Sequence, residues 1–197
     1  IYALNYLFKI NYYKIIISIY KMGNNHLHWF DASKRKVLVL SFEENYLKQI
    51  SKCLSKIDIE INDAIGFVSD DIAYKNLSLK LWYLTVNNRH LWKHHFIGTQ
   101  GLILNFSFSE RVKDQRIIYE VMNVLNDQNI VGLPVLVLLD YNNQDQGVVE
   151  NLRKEMNNQM TEDKLKMVKF HYVDFQKDIN QIKVGFDWLC ETMKPLK

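Results

Sequence analysis

From Lys36 onward the chain alternates between short unbroken apolar runs and longer stretches in which apolar residues return every three or four positions. The first kind predicts strands covered on both faces, and the second predicts helices with one apolar stripe. Lys36–Leu40 predicts the first strand, and Tyr46–Lys56, with Leu47, Ile50 and Leu54 in helical spacing, predicts the first helix. Phe67–Ala73 and Leu77–Tyr83 predict two strands joined by Tyr74-Lys75-Asn76, a connection short enough to make them an antiparallel hairpin. A helix near Arg89–Phe96, a strand at Gly101–Phe108, a helix at Glu110–Asn126 and an apolar strand at Pro134–Leu139 follow. The chain closes with a helix at Val148–Met160, a strand at Met167–Val173 and a helix at Asp178–Met193, whose Ile179, Ile182, Phe186 and Leu189 share one face. This order predicts a three-layer α/β fold: a six-stranded, mostly parallel sheet with one antiparallel strand, covered by helices on both faces.

Composition narrows the class. At 197 residues with 48% hydrophobic positions, the chain builds one core, and no repeat or Pro/Gly/Ser-rich linker divides it. A net charge of +3 and a pI near 8.7 are too mild for a nucleic-acid partner, which asks for a clustered basic face and a pI above about 9. Cys53 and Cys190 are too few for a disulfide framework or a four-ligand zinc site, so free thiols in a reducing, intracellular and most simply cytoplasmic setting are expected. Residues 1–21 carry three lysines and no acid. Lys9 and Lys14 break the apolar run short of the roughly 20 residues a membrane span needs. The stretch also lacks the arginines of a mitochondrial presequence and the cleavage site of a signal peptide. It reads as an N-terminal extension or as upstream sequence ahead of Met22, the first methionine, and is kept out of the fold.

A family pattern then emerges. Ile65-Gly66-Phe67, Tyr74-Lys75-Asn76-Leu77-Ser78, Leu81-Trp82, Leu91-Trp92-Lys93-His94-His95-Phe96, Thr99-Gln100-Gly101-Leu102-Ile103 and Gly185-Phe186-Asp187-Trp188-Leu189 follow in one order from Lys36 to the C-terminus. Together they resemble the ADP-ribosylation factor (Arf-like) small GTPases. The resemblance divides the chain into the extension 1–21, an Arf-like N-terminal segment 22–35 and a GTPase-fold domain 36–197. Met22-Gly23-Asn24 is similar to an Arf start, which implies N-myristoylation at Gly23 and peripheral membrane contact through the N-terminus. Leu27, however, stands where the general pattern asks for Ser or Thr.

The resemblance also says which chemistry to look for. A phosphate cradle reads G-x-x-x-x-G-K-S/T, because glycines let backbone N–H groups face the phosphates, the lysine reaches the terminal ones and the hydroxyl holds Mg²⁺. The aligned residues are Ser41-Phe42-Glu43-Glu44-Asn45-Tyr46-Leu47-Lys48, with side chains at both glycine positions and Leu47 at the lysine position. A carboxylate such as Glu44 about 4 Å from a phosphate charge costs about 4 kcal/mol at an effective dielectric near 20, about three powers of ten in affinity. Ala64 stands for the Mg²⁺-ligating Thr, and Trp82-Tyr83-Leu84-Thr85-Val86-Asn87 stands for W-D-x-G-G-Q. The Mg²⁺-linked acid, the γ-phosphate-sensing glycine and the water-orienting Gln are thus replaced together. Of the guanine motif N-K-x-D, Asn142 and Asp145 remain, as a remnant nucleotide site or as a polar turn. The later base loop is not evident around Asp174-Phe175-Gln176.

These replacements lead to the expectation of an Arf-like pseudo-GTPase: a protein-binding adaptor or a structural subunit of a larger assembly, with no catalytic residue, no metal and no cofactor. Phe67 and Trp82 match two members of the aromatic triad by which the family meets effectors, and His95 takes the third place, so these three are the expected partner contacts. Ordinary packing of a hairpin on a helix is the plain alternative. The competing function is a GTP-binding switch that recruits effectors at membranes, with GTP or GDP and Mg²⁺ bound. His90 and His94 are four apart on the expected helix but lack the acid of a zinc motif. Lys34-Arg35-Lys36 reads as a solvated strand entry.

Overall fold

In this computed structural model the described residues are 34–56, 59, 67–84, 86–107, 115–140 and 146–193, and the fold is that of the unit Arg35–Lys197. Strand β1 is Arg35–Ser41 and helix α1 is Glu44–Leu54. Strands β2 (Phe67–Tyr74) and β3 (Leu77–Leu84) form the expected hairpin, with Lys75 at φ 52° in its turn. After a 3-10 helix at Val86–His95 come β4 (Gly101–Ser107), α2 (Gln115–Leu125), β5 (Val135–Asp140) and α3 (Gln146–Asn158). The chain continues with α4 (Glu162–Met167), β6 (Val168–Val173) and α5 (Gln181–Thr192). The sheet order is β2-β3-β1-β4-β5-β6, and β2 is antiparallel to β3 while every other pair is parallel.

The unbroken apolar runs are explained by two cores. Successive side chains of a strand point to opposite faces. Leu38 and Leu40 therefore join Leu102, Leu104, Val137 and Leu139 on the side of α2 and α3. Val37 and Val39 join Ile103, Leu136 and Leu138 on the side of α1 and α5. Helix α5 lies so close to the sheet that a Cβ at Gly185 would stand 2.9 Å from Leu136 Cδ1 and 3.1 Å from His171 Cδ2, a position only glycine fills without displacement. Among the described residues no helix is long and apolar enough to cross a membrane.

Four elements differ from the pattern-based reading. Helix α1 begins at Glu44 rather than Tyr46, so its first turn includes two polar positions that carry no periodic signal. The segment after β3 is 3-10 rather than α-helical; Trp92 and Phe96, both buried, stand four apart, a spacing that by itself reads as α-helical. Helix α4 has no buried residue and thus no apolar stripe to read; its acids lie in the first turn and its lysines in the last, where the helix dipole favours them. Helix α5 starts at Gln181 rather than Asp178. Asp174 Oδ1 accepts the Gln176 and Lys177 N–H groups, and Asp178 Oδ1 accepts that of Asn180, which holds a turn instead.

Candidate functional site

In an open, mostly parallel sheet, ligands bind outside the carboxyl ends of the strands, where the connections diverge to either side. Here that point is the end of β1, between β3 and β4. Only Phe42 and Glu43 separate Ser41, the last residue of β1, from Glu44, the first of α1. The Phe42 N–H donates to the Asn105 carbonyl (3.1 Å), and its ring meets Trp92 and Phe106 edge-to-face at 5.3 and 6.4 Å. The Ser41 hydroxyl donates to the Glu43 carbonyl (2.7 Å) or to Asn105 Oδ1 (2.9 Å) and accepts the Glu43 N–H. Asn105 in turn donates to the Leu138 carbonyl (3.4 Å).

In the first turn of α1, Tyr46 reaches across the crevice. Its hydroxyl donates to Asp140 Oδ2 at 2.5 Å, and its ring lies 4.5 Å from that of Phe175. Asp140 is the last residue of β5 and is buried, as is Phe175 in the loop after β6. Lys48 pairs with Glu44 one turn earlier on the same helix (2.7 Å). The loop holding Phe175 is braced by Asp174. Burial works against charge on its carboxyl, but the Lys177 and Gln176 N–H groups outweigh that and hold its pKa below the ordinary range. Neither the Tyr46–Asp140 contact nor the Asp174 brace was foreseen from the sequence, although a tyrosine at the second glycine position of the cradle pattern is a visible signal.

The three expected partner contacts do come together. Phe67 of β2 stacks on Trp82 of β3 at 4.8 Å with the planes 20° apart, and His95 at the end of the 3-10 helix lies 5.1 Å from Phe67 and 5.6 Å from Trp82. Trp82 is buried, at 5% exposure, whereas Phe67 and His95 are half-buried, so the surface of the cluster belongs to those two. Beneath it sits Lys36. Its ammonium donates to the carbonyls of His95 (2.6 Å) and Ile97 (3.0 Å) and stands 4.9 Å from the Trp82 ring. Lys36 is therefore a strut of the cluster rather than a solvated strand entry. Burial lowers its pKa to about 8, and burial followed by the nearby Lys36 and His94 charges lowers that of His95 to about 4. At neutral pH His95 is a neutral ring.

The remaining candidates fall elsewhere. His90 and His94 are both exposed, and with three residues per turn in a 3-10 helix, positions four apart point about 120° away from each other. Among the described residues no group of three or more His, Cys, Asp or Glu side chains is placed to hold a metal ion. Burial pushes the Cys190 thiol up to about 12, with Asp187 adding to it, and burial also raises Cys53, so neither is an activated thiolate. Gly23, Asn142 and Asp145, together with Ala64, Ile65, Gly66 and Thr85, lie outside the described residues.

The strand order, the single antiparallel strand, the two helical layers and the crevice at the β1–α1 connection define the small-GTPase class of α/β proteins. The chain matches the ADP-ribosylation factor family over residues 31–193, and it belongs to that family. It is 32% identical over 135 residues to ADP-ribosylation factor K of Dictyostelium discoideum, a match covering 66% of this chain and 69% of that protein. ADP-ribosylation factor J of the same organism is 30% identical over 135 residues with the same coverage. Among solved structures, the Arl6 (BBS3) small GTPase from Trypanosoma brucei with bound nucleotide analogue GppNp shares the fold at a TM-score of 0.61. That likeness is at 15% identity and covers 81% of this chain and 96% of that one.

Proposed function

We propose that this chain is an Arf-like pseudo-GTPase that works by binding other proteins, as an adaptor or a structural subunit of a larger assembly, and does not hydrolyse GTP. The observation that carries this reading is the crevice at the end of β1, where the chain's own side chains take up the room. Phe42 packs on Trp92 and Phe106, and Tyr46 spans to Asp140 where a cradle would have a glycine and open space. Helix α1 places Glu44 in its first turn, at the end whose partial positive charge would otherwise favour phosphate, and Lys48 is engaged by that same Glu44. Residues of this kind do not fit the phosphates and Mg²⁺ of a nucleotide. Phe67 and His95, resting on Trp82, are the proposed partner contact, since aromatic anchors commonly carry 2 kcal/mol or more of an interface. Partners are other proteins inside the cell rather than nucleic acid.

Family membership favours the rival, a GTP-binding switch acting at membranes through the N-terminus, with Gly23 lipidated and Asn142 and Asp145 reading guanine. Two measurements on the purified full chain separate the readings. Denaturation should release no guanine nucleotide, and millimolar GTP with Mg²⁺ should leave the melting temperature unchanged. A ligand at a hundredfold excess over Kd adds about 2.7 kcal/mol, an upward shift of several degrees. Stoichiometric nucleotide, or such a shift abolished by Asp145→Ala, would give the rival the lead.

A further inference from the structure

The two edges of the described sheet offer charges of opposite sign. Among the described residues β2 pairs only with β3 and β6 only with β5, so each turns a row of backbone N–H and C=O groups outward. Neither strand contains proline and the register of each runs without a bulge, so two devices that stop an edge from pairing are missing. Successive residues alternate between the faces of the sheet. On the face of α1 and α5, β6 carries Lys169 and His171, and β2 carries Val68, Asp70 and Ile72. Lys169 stands over the Trp188 ring at 5.6 Å and has no carboxylate partner among the described residues, and Asp70 has no cation partner among them. Asp71, on the opposite face, is already held by Lys80 (4.0 Å), so Asp70 is the acid this edge offers.

These charges decide which edges can meet. Two β6 strands paired about their centres would set the basic Lys169 and His171 of two copies against each other, and two β2 strands would set acid against acid. Like charges directly opposite are destabilising. β6 against β2 sets a cation against an acid instead. The strand directions agree as well. Because β2 runs opposite to the rest of the sheet, a second copy placed edge to edge in the same orientation brings its β2 antiparallel to β6, with the faces matched. With Lys169 opposite Asp70, the register sets Phe170 against Ser69, His171 against Val68 and Tyr172 against Phe67. The last is an aromatic cross-strand pair, and Phe67 is already backed by Trp82. We propose that a second copy of this chain is one of its partners, docking its β2 edge on β6. Each copy offers both edges, so the contact propagates head to tail rather than closing as a dimer. The inference rests on the reading of the chain as a subunit of a larger assembly and names one member of that assembly.

Sedimentation velocity of the purified full chain, from micromolar to millimolar concentration, tests it. The wild-type chain should form species larger than a dimer as concentration rises. Asp70→Lys and Lys169→Glu should each weaken self-association by about tenfold or more. A mixture of the two variants in equal amounts, and the double variant, should restore it, because each acid again meets a cation. A chain that stays monomeric, an oligomer that stops at a dimer, indifference to both single variants, or no recovery in either the mixture or the double variant would each overturn the proposal. Assembly by a chain that still releases guanine nucleotide on denaturation would uphold this contact and sink the pseudo-GTPase reading. A nucleotide-free chain that stays monomeric would do the reverse.

Discussion

The crevice at the end of β1 and the aromatic cluster on the hairpin belong to the same sheet, yet they are built on opposite requirements. A phosphate cradle depends on what is missing: no Cβ at the glycines, no side chain in the space the phosphates would take, no acid at the helix N-terminus. Every residue added there works against it, and Phe42, Glu44 and Tyr46 add three. A protein contact depends on what is present, namely rigid aromatic surface held in place from behind. Phe67, Trp82 and His95 supply that, with Lys36 as the strut. A chain of this family can therefore fill one region and keep the other, because the two share few residues and no requirement.

The largest effect that sharpens this contrast is expected at Trp82. Because the ring is buried beneath Phe67 and His95, Trp82→Ala should cost about 3–5 kcal/mol of stability in urea unfolding. Phe67→Ala and His95→Ala should instead cost less stability and lose partner binding. A Trp82→Ala protein that unfolds at the wild-type urea concentration would mean that the cluster is surface decoration and not a supported contact.

Next in size is a pH effect of the same cluster. The folded His95 resists protonation until about pH 4, while in the unfolded chain it takes up a proton near 6.5. Between those values the unfolded state binds more protons, so stability present above pH 6.5 should fall by on the order of 2 kcal/mol as the pH drops to about 4. His95→Gln should flatten that part of the stability profile. An unchanged slope would place the titration on other groups and loosen the packing inferred around His95.

The smallest change addresses the crevice. Tyr46→Phe keeps the ring against Phe175 but removes the hydroxyl that donates to buried Asp140, and it should cost about 1.5 kcal/mol in urea unfolding. A neutral or stabilising outcome would show that the crevice does not depend on this bond, and the distinction between a filled region and a kept one would weaken.

The sequence by itself determined the order of strands and helices, because burial on two faces leaves unbroken apolar runs such as Val135–Leu139 and burial on one leaves a helical stripe such as Ile182, Phe186 and Leu189. It also determined that glycines are missing from residues 41–48, since composition at a position needs no geometry to be read. Helix α4, lacking an apolar stripe, was invisible to that signal. The tertiary structure alone decided that Tyr46 meets Asp140, 94 residues away, that Lys36 turns inward beneath Trp82, and that Phe42 floors a cleft with Trp92 and Val124. Periodicity is a local property, set by which face of one element is buried. Contacts of this kind depend on how strands are ordered and registered in the sheet, and the whole chain decides that at once.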